Sequence, residues 1–230
     1  MYFTASEGGR IKMRTILVVN PKGGCGKTTI ATNLAGFYAN KGLSVALIDM
    51  DQQMSSYQWA ASRDASMAKI SSFKSDSNIR MQRLIYDCPA QIHIGLTTDL
   101  IDKSDVMIMP INPSIIDQRA AFQFILDVRG MIRAKVCKPI QIGFVANRAN
   151  DSYKSYDELE KFSSMMNVPI VTVLRNSQNY VSVANTGMSI FDLPKTQVAK
   201  DVQQWKGLCY WAEGKLLIKR AKTEAAAAVQ

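Results

Sequence analysis

The stretch VVNPKGGCGKTTIATNLA, from Val18 to Ala35, carries the strongest structural signal of the 230-residue chain. An apolar run leads into a glycine-rich loop, and a helical pattern follows from about Thr28 to Asn40. Glycines let the loop curl tightly and aim its N–H groups inward, and the start of the helix adds the positive end of its dipole. The stretch therefore indicates a cradle for the phosphate groups of a nucleotide.

The loop holds two lysines, for which we expect different roles. Lys27 is placed to reach the β and γ phosphates, and Thr28 offers its hydroxyl to Mg²⁺, as in the usual P-loop arrangement. The strict pattern G-x-x-x-x-G-K-[ST] would need glycine at position 21, where this chain has Pro21. Lys22 is an additional cation, and from the residues alone it could be a solvated loop charge. The expected nucleotide-binding loop is Lys22, Gly23, Gly24, Cys25, Gly26, Lys27, Thr28 and Thr29.

Short apolar runs alternate with helix-like segments along the rest of the chain. Continuous runs rich in valine and isoleucine suit strands that are buried on both faces. Strands separated by helical spacers imply right-handed crossovers and a mostly parallel sheet. The predicted fold class is therefore α/β, with a mostly parallel, twisted sheet flanked by helices on both faces. The predicted strands are Thr15–Asn20, Ser44–Asp49, Leu84–Cys88, Val106–Ile111, Ile140–Ala146 and Ile170–Leu174.

The chain length and composition favour one globular domain. We find no internal repeat, no linker rich enough to divide the chain, and no run of about 18 apolar residues that could span a membrane. Residues 1–12 are expected to form a disordered leader, and residues 13–220 a single P-loop domain. Residues 221–230, with the low-complexity sequence AKTEAAAAVQ, are expected to form a flexible tail.

Carboxylates follow two of the predicted strands, where ligands of parallel sheets bind. We expect the side chains of Asp49 and Asp51, which are separated by one residue, to point in different directions. We expect Asp51 to position the attacking water and to help hold Mg²⁺, and Asp49 to support either Mg²⁺ or the loop. Asp87 follows LIY in the Walker B arrangement, in which a carboxylate holds Mg²⁺ together with Thr28. The alternative for the aspartates after the second strand is a helix N-cap.

The segment K-G-G-x-G-K-T-T resembles the deviant Walker A motif of the ParA/MinD class of P-loop ATPases. Three further segments are similar to that class: DMDQQ, where Gln52 replaces the proline of the family, PINPSIIDQRAA and LRNSQNYVSVANTGMSIFD. Together the four segments extend from about Met13 to Asp192. The resemblance is strongest to short, ParF-like plasmid partition ATPases, which lack a helix-turn-helix extension.

This resemblance implies a catalytic set of Lys22, Lys27 and Asp51, with ATP and Mg²⁺ as cofactors. It assigns Lys22 to the nucleotide of a partner subunit, and it places Asn147 at the adenine edge, with Arg148 beside it. It also implies an ATP-dependent sandwich homodimer that binds DNA without sequence preference. A ParB-like or adaptor protein on a cargo would stimulate slow hydrolysis in the bacterial cytoplasm, on the nucleoid. The cargo could be a plasmid, a chromosome or a carboxysome.

The net charge of +9 indicates a polyanionic partner, either nucleic acid or an anionic membrane. A basic helical stretch near the C-terminus could face DNA phosphates, although such a stretch can also be a solvated helix face. A MinD-like membrane cycle is the main alternative, since Leu216, Leu217 and Ile218 lie beside the charges, but the alanines that follow make it unlikely. A metabolic P-loop enzyme is less favoured. The candidate DNA-binding residues are Arg175, Lys195, Lys200, Lys206, Lys215, Lys219 and Arg220.

Overall fold

The computed structural model describes residues 13–74, 81–92, 94–150 and 153–214. The expected leader and tail lie outside these residues, and so do three of the candidate DNA-binding residues, namely Lys215, Lys219 and Arg220. No helix within the described ranges is long and apolar enough to cross a membrane.

The described part of the chain forms one seven-stranded sheet in which every neighbouring pair is parallel, with the order β3-β2-β4-β1-β5-β6-β7. This confirms the predicted α/β class. The six predicted strands are all present; five match to within one residue at either end, and the first ends two residues earlier than predicted. The strand that the sequence did not reveal is the short edge strand of the sequence SSF. The bounds are β1 Arg14–Val18, β2 Val45–Asp49, β3 Ser71–Phe73, β4 Arg83–Asp87, β5 Val106–Ile111, β6 Gln141–Ala146 and β7 Ile170–Val173.

Helices cover both faces of the sheet. The first helix begins one residue earlier and ends one residue earlier than its sequence pattern predicts. A short 3₁₀ turn spans Ile190–Asp192. The helices are α1 Lys27–Ala39, α2 Ser55–Ala61, α3 Ile94–Lys103, α4 Ile115–Arg133, α5 Lys154–Met166, α6 Gln178–Ala184 and α7 Lys195–Ala212.

The core consists of two layers because successive side chains of a strand point to opposite faces. Ile16 and Val18 of β1 pack with α1, α2, α6 and α7 on one face. Leu17 and its neighbours on β2 and β4 pack with α3 and α4 on the other face, and α5 covers the same face farther along the sheet. Burial on both faces explains why the strands are continuous apolar runs.

The parallel sheet brings the carboxyl ends of β1, β2, β4, β5 and β6 to one edge, which we call the nucleotide edge. Val18 at the end of β1 pairs in register with Asp87 at the end of β4, and Asp87 in turn pairs with Asp49 at the end of β2. The phosphate loop leaves this edge from β1. Residues far apart in the sequence are therefore neighbours here.

Candidate nucleotide site

The loop between β1 and α1 is held at its base by a buried asparagine that precedes it. The Asn20 side chain donates to the carbonyl of Pro110 at 2.6 Å, and its oxygen accepts from the backbone N–H of Lys22 at 2.8 Å. These bonds connect the loop to the neighbouring strand β5. The first lysine of the motif therefore starts from a fixed backbone position.

The last glycine of the loop is required by its backbone conformation and by its neighbour. Gly26 has a φ of 98°, and a Cβ atom there would lie 2.2 Å from the side-chain nitrogen of Asn147. That nitrogen donates to the carbonyl oxygen of Cys25 at 2.8 Å. Asn147, which we expected at the adenine edge, thus also braces the phosphate loop from the end of β6.

In this structure the side chain of Lys27 contacts the backbone of Lys22. The ammonium of Lys27 donates to the carbonyl oxygen of Lys22 at 3.0 Å, and the thiol of Cys25 donates to the same oxygen at 3.3 Å. Lys27 is buried, whereas Lys22 is half-buried. Burial raises the pKa of Cys25, although Lys27 opposes this shift, so the thiol remains protonated at neutral pH.

Asp87 is a buried carboxylate with one oxygen that has no partner. Burial raises its pKa to about 7, and the charge of Asp49 adds to this shift, while Thr28, Ser56 and Lys27 oppose it. Its Oδ2 atom has no hydrogen-bond partner of ordinary geometry among the described residues, although the Ser56 side chain lies close by. Unpaired buried polar atoms are costly, so they point to a ligand that completes the site.

Mg²⁺ fits this arrangement. It prefers oxygen ligands, and it is commonly held by one or two carboxylates together with water and substrate phosphates. Asp87 and Thr28, which we expected at the metal, lie together, and in the described ranges no group of three or more histidine, cysteine or acidic side chains forms a separate metal cage. These two residues would hold the ion. Ser56 is a neighbour that sequence reasoning missed, since a serine at the start of a helix has no distinctive pattern.

Asp49 and Asp51 occupy different environments, because β2 ends at Asp49 and Asp51 lies in the bend that follows. Asp49 is buried, and its two oxygens accept from the backbone N–H groups of Asp51 at 2.9 Å and Tyr57 at 2.9 Å. Its observed contacts therefore support the loop and the first turn of α2. Asp51 is half-exposed and accepts from the N–H of Gln53 at 3.0 Å. Asp51 thus lies in the turn after β2, and its part in positioning water and holding Mg²⁺ stays a prediction.

A cavity of about 420 Å³ lies beside the loop and is lined by Thr29, Asn147, Arg148 and Tyr180, together with residues at the end of β7. Volumes of several hundred Å³ are typical of small-molecule sites. The cavity therefore brings both residues expected at the nucleoside next to the phosphate loop. Sequence reasoning missed Tyr180, whose aromatic ring gives this cavity a flat apolar wall.

Arg175 lines the same cavity and is already engaged in an ion pair. Its guanidinium donates to both oxygens of Asp201 on α7, at 2.7 and 3.0 Å, and these bonds raise the pKa of Arg175. Arg175 therefore lies beside α7 with its charge paired, although 41% of its side chain is exposed. The described lysines of the expected DNA-binding set, Lys195, Lys200 and Lys206, are exposed on α7.

Comparison with known proteins gives a consistent picture. A curated relative, the maintenance of carboxysome distribution protein A of Halothiobacillus neapolitanus, is 28% identical over 195 residues, which is 79% of this chain and 88% of the relative. The apo McdA structure from Cyanothece superposes with a TM-score of 0.69 at 17% identity, over 85% of this chain and 99% of that chain.

A third similar protein is the septum site-determining protein MinD of Pyrococcus horikoshii OT3, solved with Mg-ADP. It superposes with a TM-score of 0.64 at 19% identity and covers 86% of this chain and 95% of that chain. At such identities the structural likeness shows the fold alone. The sequence profile of the CobQ/CobB/MinD/ParA nucleotide binding domain matches residues 16–190, and the chain therefore belongs to this family of P-loop ATPases.

Proposed function

We propose that this protein is a ParA-like ATPase that binds ATP with Mg²⁺, forms an ATP-dependent homodimer and positions a cargo on nonspecific DNA. One observation carries the proposal. The motif with two lysines lies directly beside a buried carboxylate, Asp87, that has an unpaired oxygen. The sandwich dimer, DNA binding and cargo transport extend this observation through the family to which the chain belongs.

The contacts within the loop support a binding step. Phosphates entering the loop would compete with the carbonyl oxygen of Lys22 for the ammonium of Lys27, and their charge favours that exchange. The base and ribose would occupy the cavity lined by Thr29, Asn147 and Arg148. Because Asn147 also donates a hydrogen bond to Cys25, a base that binds against Asn147 would affect the phosphate loop as well.

An apolar surface at the nucleotide edge supports a homodimer. Ile115 and Ile116 begin α4 directly after the end of β5, and they are 57% and 66% exposed. Exposed apolar side chains in a cluster are a common mark of protein interfaces. A second copy that covers them would also bring its Lys22 toward this subunit's phosphates, and catalysis would then wait for assembly.

The cargo is the finer part of the proposal. The relative from Halothiobacillus neapolitanus is named for carboxysome distribution, so a large protein assembly is one cargo to test beside a plasmid or a chromosome. A ParB-like or adaptor protein bound to that cargo would stimulate hydrolysis. The exposed Lys195, Lys200 and Lys206 on α7 would contribute to DNA binding, and the protein would act on the nucleoid in the cytoplasm.

The decisive experiment compares two polyanionic surfaces. Purified protein is mixed with nonspecific duplex DNA or with anionic liposomes, in ATP, in ADP and without nucleotide, over a salt series. We expect DNA binding that requires ATP and weakens steeply with salt because bound cations displace counterions. ATP-dependent binding to liposomes with little binding to DNA would instead favour a membrane-cycling ATPase and would overturn the DNA-based proposal.

A further inference from the structure

One wall of the cavity proposed for the nucleoside is held in place by a helix behind it. Arg175 and Ser177 belong to the loop between β7 and α6, and Tyr180 follows in the first turn of α6. All three residues line the cavity, and we call them the nucleoside wall. Their side chains bond to one face of α7, at Asp201 and Trp205, and neither of these two lines the cavity.

Asp201 is the central acceptor behind this wall. Its carboxylate is wholly buried and accepts from the guanidinium of Arg175 at 2.7 and 3.0 Å. The side-chain amide of Asn179 donates to it at 2.6 Å, and the hydroxyl of Ser177 makes a longer contact at 3.4 Å. Burial works to raise the pKa of Asp201, but the hydrogen bonds from Arg175 and Asn179 outweigh burial and lower it. The charged carboxylate thus connects the segment 175–179 to α7.

Trp205 supports the same wall one turn farther along α7. Its indole N–H donates to the hydroxyl of Tyr180 at 2.8 Å, and the side-chain oxygen of Gln204 accepts from the backbone N–H of Arg175 at 3.1 Å. Burial raises the pKa of Tyr180 to about 12, so its hydroxyl stays neutral at physiological pH. Residues three and four apart lie on one face of a helix, so Asp201, Gln204 and Trp205 support the wall together.

Helix α7 can serve as a support because it lies close against β7. A Cβ atom at Gly207 would lie 2.6 Å from the carbonyl oxygen of Val171. The hydroxyl of Thr172 donates to the carbonyl of Gln204, and Trp205 is wholly buried. These contacts fix α7 against the sheet, so the nucleoside wall has a rigid support.

The phosphate loop has supports of its own. Asn20 connects the backbone of Lys22 to β5, and Asn147 connects Cys25 to the end of β6. Neither connection involves α7. A loss of support from α7 should therefore affect the part of the cavity that surrounds the nucleoside and leave the phosphate loop as it is.

We propose that Asp201 is a positioning residue that sets the affinity for the nucleoside, an inference that rests on the proposed function because it takes the cavity to hold the base and ribose. A wall that is already ordered does not have to be ordered by the ligand, and this raises the affinity. Without the carboxylate, the partly exposed Arg175 would turn toward solvent, and Ser177 and Asn179 would lose an acceptor. Each binding event would then have to order the wall again.

Two ligands separate the nucleoside from the phosphates. Calorimetric titration of the full chain with ATP and with inorganic tripolyphosphate, both with Mg²⁺, measures the affinity with and without the nucleoside. We expect Asp201→Asn to weaken ATP binding about tenfold and to leave the affinity for tripolyphosphate unchanged. A purely structural role would lower the folded fraction, and both ligands would then respond equally. The ratio of the two affinities is thus a readout that a change in stability does not move.

Glu213→Gln is the matched control. Glu213 is also a buried acceptor from an arginine, but it follows the end of α7, at the opposite end of the sheet from the nucleotide edge. Its substitution should lower the melting temperature and leave the ratio of the two affinities as in the parent chain. An Asp201→Asn protein with the parent's ratio, or with equal losses for both ligands, would overturn the inference.

Trp205→Phe keeps the test valid if Asp201→Asn fails to fold. It preserves an aromatic ring and removes the N–H that bonds to Tyr180, so we expect ATP to bind about threefold more weakly and tripolyphosphate to bind as in the parent chain. Trp211→Phe makes the same change near the end of the same helix, away from the wall, and should alter neither affinity. An unchanged affinity of Trp205→Phe for ATP would contradict the inference.

The parent chain separates this inference from the proposed function. Tighter binding of ATP than of tripolyphosphate supports both, because the nucleoside then contributes to affinity. Binding of neither ligand would show that the proposed function is wrong, and the inference would fail with it. Equal binding of the two ligands would leave ATP binding through the phosphate loop intact and would overturn the inference alone.

Discussion

The two ends of the parallel sheet differ in how their buried charged groups are paired. At the nucleotide edge, Asp87 keeps an unpaired oxygen. At the other end, Arg83 and Glu213 satisfy each other through two hydrogen bonds and lie almost wholly out of solvent. A buried charge that lacks partners points to a ligand, whereas a fully paired one points to structure. This contrast separates the functional from the structural charges of the molecule.

The largest effect is expected at the nucleotide edge, from Lys27→Ala. Loss of the ammonium removes the cation placed to hold the β and γ phosphates, so ATPase activity should fall by on the order of 10³-fold. The melting temperature should change little, because the side-chain hydrogen bond that Lys27 makes within the described part of the chain is the one to the Lys22 carbonyl. Steady-state hydrolysis and thermal unfolding measure the two effects, with the exposed Lys154→Ala as control. A variant that hydrolyses ATP normally would refute the assigned role.

At the opposite end of the sheet, we expect a substitution to affect stability rather than activity. Glu213→Ala leaves the buried Arg83 without its partner, and we expect a loss of about 3 kcal/mol in the free energy of unfolding. The affinity for ATP should be unchanged, as the pair lies far from the loop. Denaturant unfolding and nucleotide titration check both statements. Replacing both residues by apolar ones, as Arg83→Met with Glu213→Leu, should recover most of the stability, and failure to recover any would show that the pair has a further role.

The raised pKa of Asp87 makes the stability of the nucleotide-free protein depend on pH. The folded carboxyl has a pKa of about 7 against an ordinary value of 3.8, so between these values the folded state binds more protons than the unfolded state. Stability should therefore fall as pH rises from about 4 to 7. Over the full interval, the difference in pKa corresponds to about 4 kcal/mol in the free energy of unfolding. We expect roughly half of this loss, because buried sites respond as if their dielectric constant were high.

Asp87→Asn tests this dependence. At pH 8 and without nucleotide, the variant should be more stable than the parent chain by roughly 2 kcal/mol, and near pH 4 the two should converge. Unfolding curves across this range give the comparison. ATP with Mg²⁺ should stabilise the parent chain at pH 8 and the variant much less. Parallel pH profiles for the two proteins would show that Asp87 is not the group responsible.

A smaller effect is expected from Lys22→Ala. If Lys22 serves the nucleotide of a partner subunit, its loss should weaken the ATP-dependent dimer by about tenfold, roughly the contribution of one charge-assisted hydrogen bond. Binding of ATP to the monomer should persist. Asp51→Ala should instead block turnover while the dimer still forms. Sedimentation with ATP, together with ATPase assays, distinguishes the two. Normal dimerisation and hydrolysis in Lys22→Ala would show that Lys22 does not serve the nucleotide of a partner subunit.

The sequence predicted best those elements whose structure depends on their own residues rather than on distant segments. Strands such as Val106–Ile111 were predicted to the residue, because burial on both faces leaves a continuous apolar run. The strand Ser71–Phe73 has no such signal, since it is three residues long, lies at the edge and is only half-buried. It forms because β2 offers it a row of hydrogen-bonding groups, which only the assembled sheet provides.

In the candidate site, too, the sequence predicted the local features and missed a contact between distant segments. The loop from Lys22 to Thr29 and Asp87 at the end of β4 were predicted from the sequence, since phosphate binding requires those residue types in that order. The ion pair between Arg175 and Asp201 was not foreseen, because its partners are 26 residues apart and meet only when α7 packs against the sheet. That contact pairs the charge of Arg175 and holds the residue in the wall of the nucleotide cavity, beside α7.

The parallel α/β fold, the phosphate loop and the overall positive charge follow from the amino-acid sequence alone. Each of these depends on residue type and on short-range spacing, which a chain carries before it folds. Contacts made on folding set which polar atoms keep partners, that Asn147 braces Cys25 and that Arg175 pairs with Asp201. Those features depend on contacts between distant segments, whose pairing is set by the order of strands in the sheet.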